Sequence, residues 1–298
     1  MDAIKEIVSR YDYMEMRRGN WDTHYQELAD YMLPRKADIV RKRSRGEKRM
    51  ELIFDGTALQ AVDLLSASLH GMLTSGATPW FHLAMKDPDI GRNDDVQRWL
   101  EDSSKRMIRA FNQSNFETEV HELYVDLVVF GTGCMFVEMD GSELRFSTRH
   151  ISEFYIAENQ FGLVDTVFRE YKIPARQAVQ RFGLENVGEF IAKKFQKNPD
   201  EDVTMLHAVL PRTERDPQKV DNLNMPFASV YICMQTKMPV SISGFEEFPY
   251  IVPRFLKATG EVMGRSPAMI ALPDVKMLNL MSKTIIQAAQ KMIDPPLL

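Results

Sequence analysis

The sequence predicts an α+β protein on three observations. Apolar residues recur at helical spacing through most of the first 130 residues, strand-like runs between turns take over from Gly131, and a heptad-like helix follows Pro273. The expected organisation is a mainly helical part over 1–130, an α+β part with antiparallel strands over 131–260, and a final helical part over 261–298.

In the first thirty residues Ile4, Ile7, Val8, Tyr11, Met14, Trp21, Tyr25, Leu28 and Tyr31 fall three or four apart, which predicts an amphipathic helix, broken near Gly19-Asn20 and stopped by Pro34. The basic run Arg41-Lys42-Arg43-Ser44-Arg45-Gly46-Glu47-Lys48-Arg49 has no apolar period and is placed on an exposed loop. A second helix opens at Asp55 or Thr57 and presents Leu59, Val62, Leu65, Leu69 and Leu73 on one face, with small residues (Ala58, Ala61, Ser66, Ala67, Ser68) on the other. Trp80–Leu83 reads as a short strand.

Asn93 caps a third helix whose first turn carries Asp94 and Asp95 against the positive end of its dipole. Val96, Leu100, Met107 and Phe111 form its apolar face. A fourth runs from Phe116 to Phe130 and ends on Gly131, a residue free to take the left-handed conformation of a helix stop. Residues 134–146 form a hairpin turning at Asp140-Gly141. Strands follow at 153–157 and 164–171, short helices at 175–182 (opened by Pro174) and 184–195, then strands at 203–210, 228–234 and 250–255. From Asp274 onward, Leu278, Met281, Ile285 and Met292 repeat at about seven residues until Pro295-Pro296.

The chain has 298 residues, 44% of them apolar and 27% charged, which suits a packed globular core. A net charge of -5 excludes a basic nucleic-acid binder overall while leaving room for a local basic patch. No secretory signal or membrane span is expected, because charges interrupt every long apolar stretch. Cys134 and Cys233 lack metal or disulfide spacing and are read as buried small hydrophobes. The six histidines form no zinc motif, and neither a nucleophile elbow nor a phosphate-binding glycine loop is present. Gly131-Thr132-Gly133 follows a helix and precedes a strand, the reverse of the order a dinucleotide site requires, and is read as a cap and turn. No catalytic residue, cofactor or metal is therefore expected.

Two groups of cations are candidates for phosphate contact: Arg41, Lys42, Arg43 and Arg45 on the basic loop, and Lys276, Lys283 and Lys291 opposite the seam of the last helix. The competing reading is a solvated surface. The seam residues Leu278, Met281, Ile285 and Met292 are candidates for a contact between subunits.

Five elements, taken in order, resemble the portal, or head-to-tail connector, family of short-tailed bacteriophages. They are Trp21, Tyr25, Ala29, Tyr31 and Pro34; Ile53-Phe54-Asp55-Gly56-Thr57; Pro79-Trp80-Phe81-His82-Leu83; Ser114-Asn115-Phe116; and Gly260-Glu261-Val262-Met263-Gly264-Arg265-Ser266-Pro267 leading into Ala271-Leu272-Pro273-Asp274-Val275-Lys276-Met277-Leu278-Asn279. Met263 stands where the family pattern has an aromatic residue. The resemblance implies a structural, non-enzymatic ring of about twelve copies at one capsid vertex, with a wing, a helical stem around a channel, and a clip. Partners implied with it are double-stranded DNA in the channel, terminase, the major capsid and scaffolding proteins, and tail adaptor proteins, with assembly in the host cytoplasm and residence in the virion. On that pattern residues up to about Phe255 are wing, 274–293 the first stem helix, and Pro295-Pro296 the start of a clip at which the chain is truncated. A different ring-shaped head-tail adaptor and a phage DNA-processing enzyme are the alternatives.

Overall fold

The computed structural model describes residues 2–44, 46–141, 143–219 and 221–293. In chain order the elements are α1 (Asp2–Met32), a 3-10 turn (Pro34–Lys36), α2 (Thr57–Leu73), α3 (Pro88–Gly91), α4 (Asp94–Gln113), α5 (Phe116–Phe130), β1 (Met135–Asp140), β2 (Glu143–Thr148), β3 (Phe154–Glu158) and β4 (Val164–Pro174). They continue as α6 (Ala175–Phe182), α7 (Gly188–Lys197), β5 (Asp202–Pro211), β6 (Phe227–Cys233), β7 (Met238–Phe245), β8 (Tyr250–Ile251) and α8 (Pro267–Ile293). Helices and antiparallel sheets together make this an α+β chain. It divides into two compact units, one of Met1–His24, His150–Tyr250 and Ala258–Met263, the other of Tyr25–Arg149, Ile251–Lys257 and Gly264–Leu298.

The first unit is built on a five-stranded antiparallel sheet in the order β3-β4-β5-β6-β7. Period-two alternation sorts its side chains to two covered faces. Tyr155, Phe168, Leu206, Ala208, Val230 and Ile232 pack with Ile7, Val8 and Tyr11 of α1. Tyr171, Val203, Met205, Tyr231 and Cys233 pack with Ala175 and Ala178 of α6 and Ile191 of α7. Arg18, almost fully buried, is spent internally: its guanidinium donates to Ile151 O at 2.9 Å and to Phe154 O, pairs with Asp22 at 2.8 Å, and lies 4.0 Å from the Tyr155 ring centroid. His207 stacks on Tyr231 at 4.0 Å between the hydroxyls of Tyr250 and Ser229, each 3.0 Å from a ring nitrogen.

The second unit centres on α5, of which ten residues are buried. Its first turns join Leu127, Met135 and Phe146 in a cluster where Trp80 stacks on Phe116 with centroids 5.8 Å apart. Asn115 serves as a surrogate strand partner for β2: its amide donates to Phe146 O at 2.8 Å and accepts from Phe146 N at 2.9 Å. Gly131 takes φ +75° as the stop of α5, and Tyr25 meets Phe130 edge-on at 5.6 Å. The smaller sheet runs β2-β1-β8.

Several expectations are corrected. Helix α1 runs unbroken through Gly19-Asn20, because one interior glycine costs only about 1 kcal/mol and the Arg18–Asp22 pair spans it. Trp80–Leu83 joins no ladder; Leu83 N donates instead to Ser104 Oγ at 2.8 Å. In α2 the buried line takes Ala58 and Ser66 from the small face and Val62 from the larger one, while Ala61, Ala67, Ser68, Leu65 and Leu73 are exposed. Small residues there permit the close approach of α5. Met107 of α4 is exposed, Ser104 taking the buried position. Helix α7 starts at Gly188 rather than Leu184, and β7 was not anticipated. The strand at 250–255 is reduced to Tyr250–Ile251 plus an isolated bridge from Arg254 to Thr132. Helix α8 starts at Pro267, with Pro273 inside it.

Candidate functional site: the root and seam of the last helix

Helix α8 begins beside a close backbone contact between Gly131 and Gly264. A Cβ on Gly131 would stand 2.6 Å from Gly264 O, and one on Gly264 would run into Gly131 O, so both positions require glycine. Thr132 Oγ1 accepts from Gly264 N at 2.7 Å. Leu256 and Arg265 exchange backbone hydrogen bonds at 3.1 and 2.7 Å. Ser266, fully buried, donates from its hydroxyl to Val129 O at 2.8 Å and accepts from Met269 N at 3.1 Å, which caps α8 and ties it to α5. Gly264, Arg265 and Ser266 thus form a mount for the helix.

About three and a half turns further, Asn279 is the one buried polar residue of the helix. Its Oδ1 accepts from Phe54 N at 2.7 Å and Asp55 N at 3.2 Å, and its Nδ2 donates to Leu52 O at 2.7 Å. The segment leading into α2 is thereby bound to α8. Lys276 pairs with Glu27 and lies 5.8 Å from the Tyr31 ring centroid; Lys283 lies 5.2 Å from that of Phe54. Lys291 is exposed.

Past this anchorage the helix offers its side chains outward. From Leu280 to Ile293 every residue but Ser282 is exposed. The seam residues have exposures of 40% (Leu278), 55% (Met281), 66% (Ile285) and 83% (Met292), which is unusual for aliphatic side chains aligned on one helix. Pro295-Pro296 lies outside the described residues.

The basic loop is more internally committed than its composition suggests. Arg43 reaches Asp30 at 3.4 Å, Asp38 at 3.7 Å and Ala37 O at 3.2 Å, and Arg49 pairs with Asp38. Gln26 Oε1 accepts from Ile39, Val40 and Arg41 N at 2.9 to 3.2 Å, which fixes the start of the loop. Arg41 is exposed with Asp30 at 3.8 Å, Lys42 is exposed, and Arg45 lies outside the described residues. Nearby, Lys36 bridges Asp126 at 2.6 Å and Glu122 at 3.0 Å, and Arg35 meets Glu122 at 2.9 Å. Burial opposes the charge on Glu122, but Lys36 and Arg35 outweigh it and hold that carboxyl below its ordinary range.

Sequence reasoning named the seam and both cation groups as candidate contacts, whereas Asn279, Ser266 and Gly264 entered only as parts of the family pattern and Gly131 only as a helix stop. A lone Asn in an aliphatic helix was the available signal for Asn279. Among the described residues, no three His, Cys, Asp or Glu side chains stand together as metal ligands, and no helix is long and apolar enough to cross a membrane.

The sequence matches the family described as bacteriophage head to tail connecting protein over residues 4–298. It is 34% identical to a probable portal protein of Bordetella phage BPP-1 and 33% identical to a portal protein of Salmonella phage epsilon15. Each alignment covers 98% of this chain and 54% of the relative, so the chain spans about half the length of the curated relatives it matches. A match running through the helical, mixed and final helical parts alike places the whole sequence in one group: this chain belongs to the bacteriophage head to tail connecting proteins.

Proposed function

We propose that the chain is the wing and first stem helix of a portal protein, a structural and non-enzymatic subunit. Copies of it form a ring of about twelve at one capsid vertex, leaving a channel for DNA packaging and ejection. On this reading residues 1–130 and 131–260 are the helical and mixed parts of the wing, 261–298 the stem helix and the start of the clip, and the remaining clip lies beyond the chain. Terminase, major capsid and scaffolding proteins, and tail adaptors dock on the assembled ring, in the host cytoplasm first and then in the virion.

The observation that carries this proposal is α8: a 27-residue helix, about 40 Å long, fixed at its root and lined outward with aliphatic side chains. Such a seam gains from burial at roughly 25 cal/mol per Å², and a symmetric assembly of identical copies is the simplest way to bury it. The names of the relatives support the same role. Exposed Arg41, Lys42, Lys283 and Lys291 are the candidate cations left to meet phosphates, and a channel that lets DNA slide needs charge rather than base-reading contacts.

Native mass spectrometry with electron microscopy of the protein expressed from its complete gene tests this. Closed rings of about twelve subunits are expected. A monomer at micromolar concentration would overturn the proposal.

A further inference from the structure

Resting on the ring reading, the structure points to the surface that receives α8 from a neighbouring copy: we infer that it is the groove between α2 and the root of α8. A closed ring needs two different patches on each subunit, one for each neighbour. The outward stripe of α8 supplies the first. Ile270, Met277 and Met281 are 74%, 59% and 55% exposed. The second is a groove of about 130 Å³ lined by Ala58, Ala61, Leu65, Ala268, Ala271 and Val275 among others, with almost no polar surface.

The two surfaces fit in shape, chemistry and direction. Four of the ten residues lining the groove are alanine and the other six are larger apolar side chains, and an apolar cavity of about 150 Å³ is known to take up a benzene ring, so the space suits one large aliphatic side chain. Methionine is the residue best able to adapt to such a recess. Helix α2 has Asp63 as its only carboxylate or Lys/Arg residue, so little charge would be desolvated when a partner helix lies on it. At 3.6 residues per turn, Ile270, Met277 and Met281 lie about 120° around α8 from the groove-lining Ala268, Ala271 and Val275. One copy therefore presents stripe and groove to opposite neighbours. Every copy carries one of each, so closing the ring covers every stripe and fills every groove.

The test uses paired cysteines in the protein expressed from its complete gene, since the native Cys134 and Cys233 are buried. Ala61→Cys with Met277→Cys, treated with a bismaleimide, is expected to give a ladder of covalent oligomers on a denaturing gel, while either single variant stays monomeric. Rings by native mass spectrometry without a ladder would overturn the groove assignment and leave the ring reading standing. Dimers from a single variant would overturn it in favour of like-with-like packing. Absence of rings in the wild type would remove the ring reading, and this inference with it. As a second variant, Ala61→Arg places an unpaired charge in the groove and is expected to lower the ring fraction about tenfold or more at unchanged melting temperature. Rings at wild-type yield from this variant would also overturn the inference.

Discussion

The five-stranded sheet and the last helix both hold rows of large apolar side chains, and they dispose of them in opposite ways. Every strand of the sheet finds its cover within its own chain, α1 on one face and α6 with α7 on the other. Helix α8 buries only Ala268, Leu272 and Asn279 in its first half and exposes nearly all of its second half. Apolar content alone therefore does not distinguish a core from a surface made for another copy; the location of the covering group does. The sheet stabilises the subunit; on the proposed ring reading, the seam would stabilise the assembly.

Substitutions can break that contrast or sharpen it, ranked here by their effect on the stability of the subunit. Phe168→Ala removes a fully buried ring from the sheet and is expected to cost about 3–5 kcal/mol in urea unfolding. A cost near zero would mean the sheet is not a self-contained core. Gly264→Ala drives a methyl group into the backbone of Gly131, and a loss of about 1–3 kcal/mol is expected, with exchange protection falling first at the start of α8. Uniform loss of protection along the chain would show that the mount is not local.

The acid response of Glu122 is smaller. Its carboxyl is held below the ordinary range when folded, so its stabilisation is complete above the unfolded pKa of about 4.3 and fades as pH falls through the lower folded value. Because the partners are partly exposed, the effect should be below about 1 kcal/mol. Glu122→Gln should be less stable than the parent by that amount at pH 7 and equal to it well below pH 4, measured by denaturant unfolding across the range. Smallest for the subunit is Ile285→Asp, expected to shift unfolding by less than about 0.5 kcal/mol because Ile285 is already in solvent. The same change should abolish rings in native mass spectrometry. Rings of normal size would dissociate the seam from assembly.

What was legible in the sequence follows the range of the interactions. The Phe116–Phe130 helix and its stop at Gly131 were read correctly because both are fixed by neighbours within a few residues. The hairpin was placed for the same reason, although Asp140 proves to be a ladder residue opposite Glu143. The strand expected at Trp80–Leu83 failed because its backbone partner, Ser104 Oγ, lies twenty-one residues away on α4. Pro273 was taken for a boundary, but capping by Ser266 and its bond to Val129 O sustain two turns ahead of it. The two faces of α2 were legible as periodicity, but which residues are buried was not, because the close pass of α5 selects Ala58, Val62 and Ser66 across both. In the candidate site, seam and cations were visible as periodicity and charge. The counter-charges on Arg43, and the glycine pair at the root, depend on contacts that span tens of residues and more.

The amide of Asn279 has a consequence for how subunits meet. A helix held only by aliphatic packing can rotate about its axis at little cost, since one greasy side chain replaces another. Asn279 makes such rotation expensive: a quarter turn would strip Leu52, Phe54 and Asp55 of their hydrogen bonds and leave the amide without partners, at about 1–3 kcal/mol for each group left buried. The rotation of α8 is therefore fixed during folding, and if the proposed ring forms, the ordering cost of orienting the seam would already be met before a neighbour arrives.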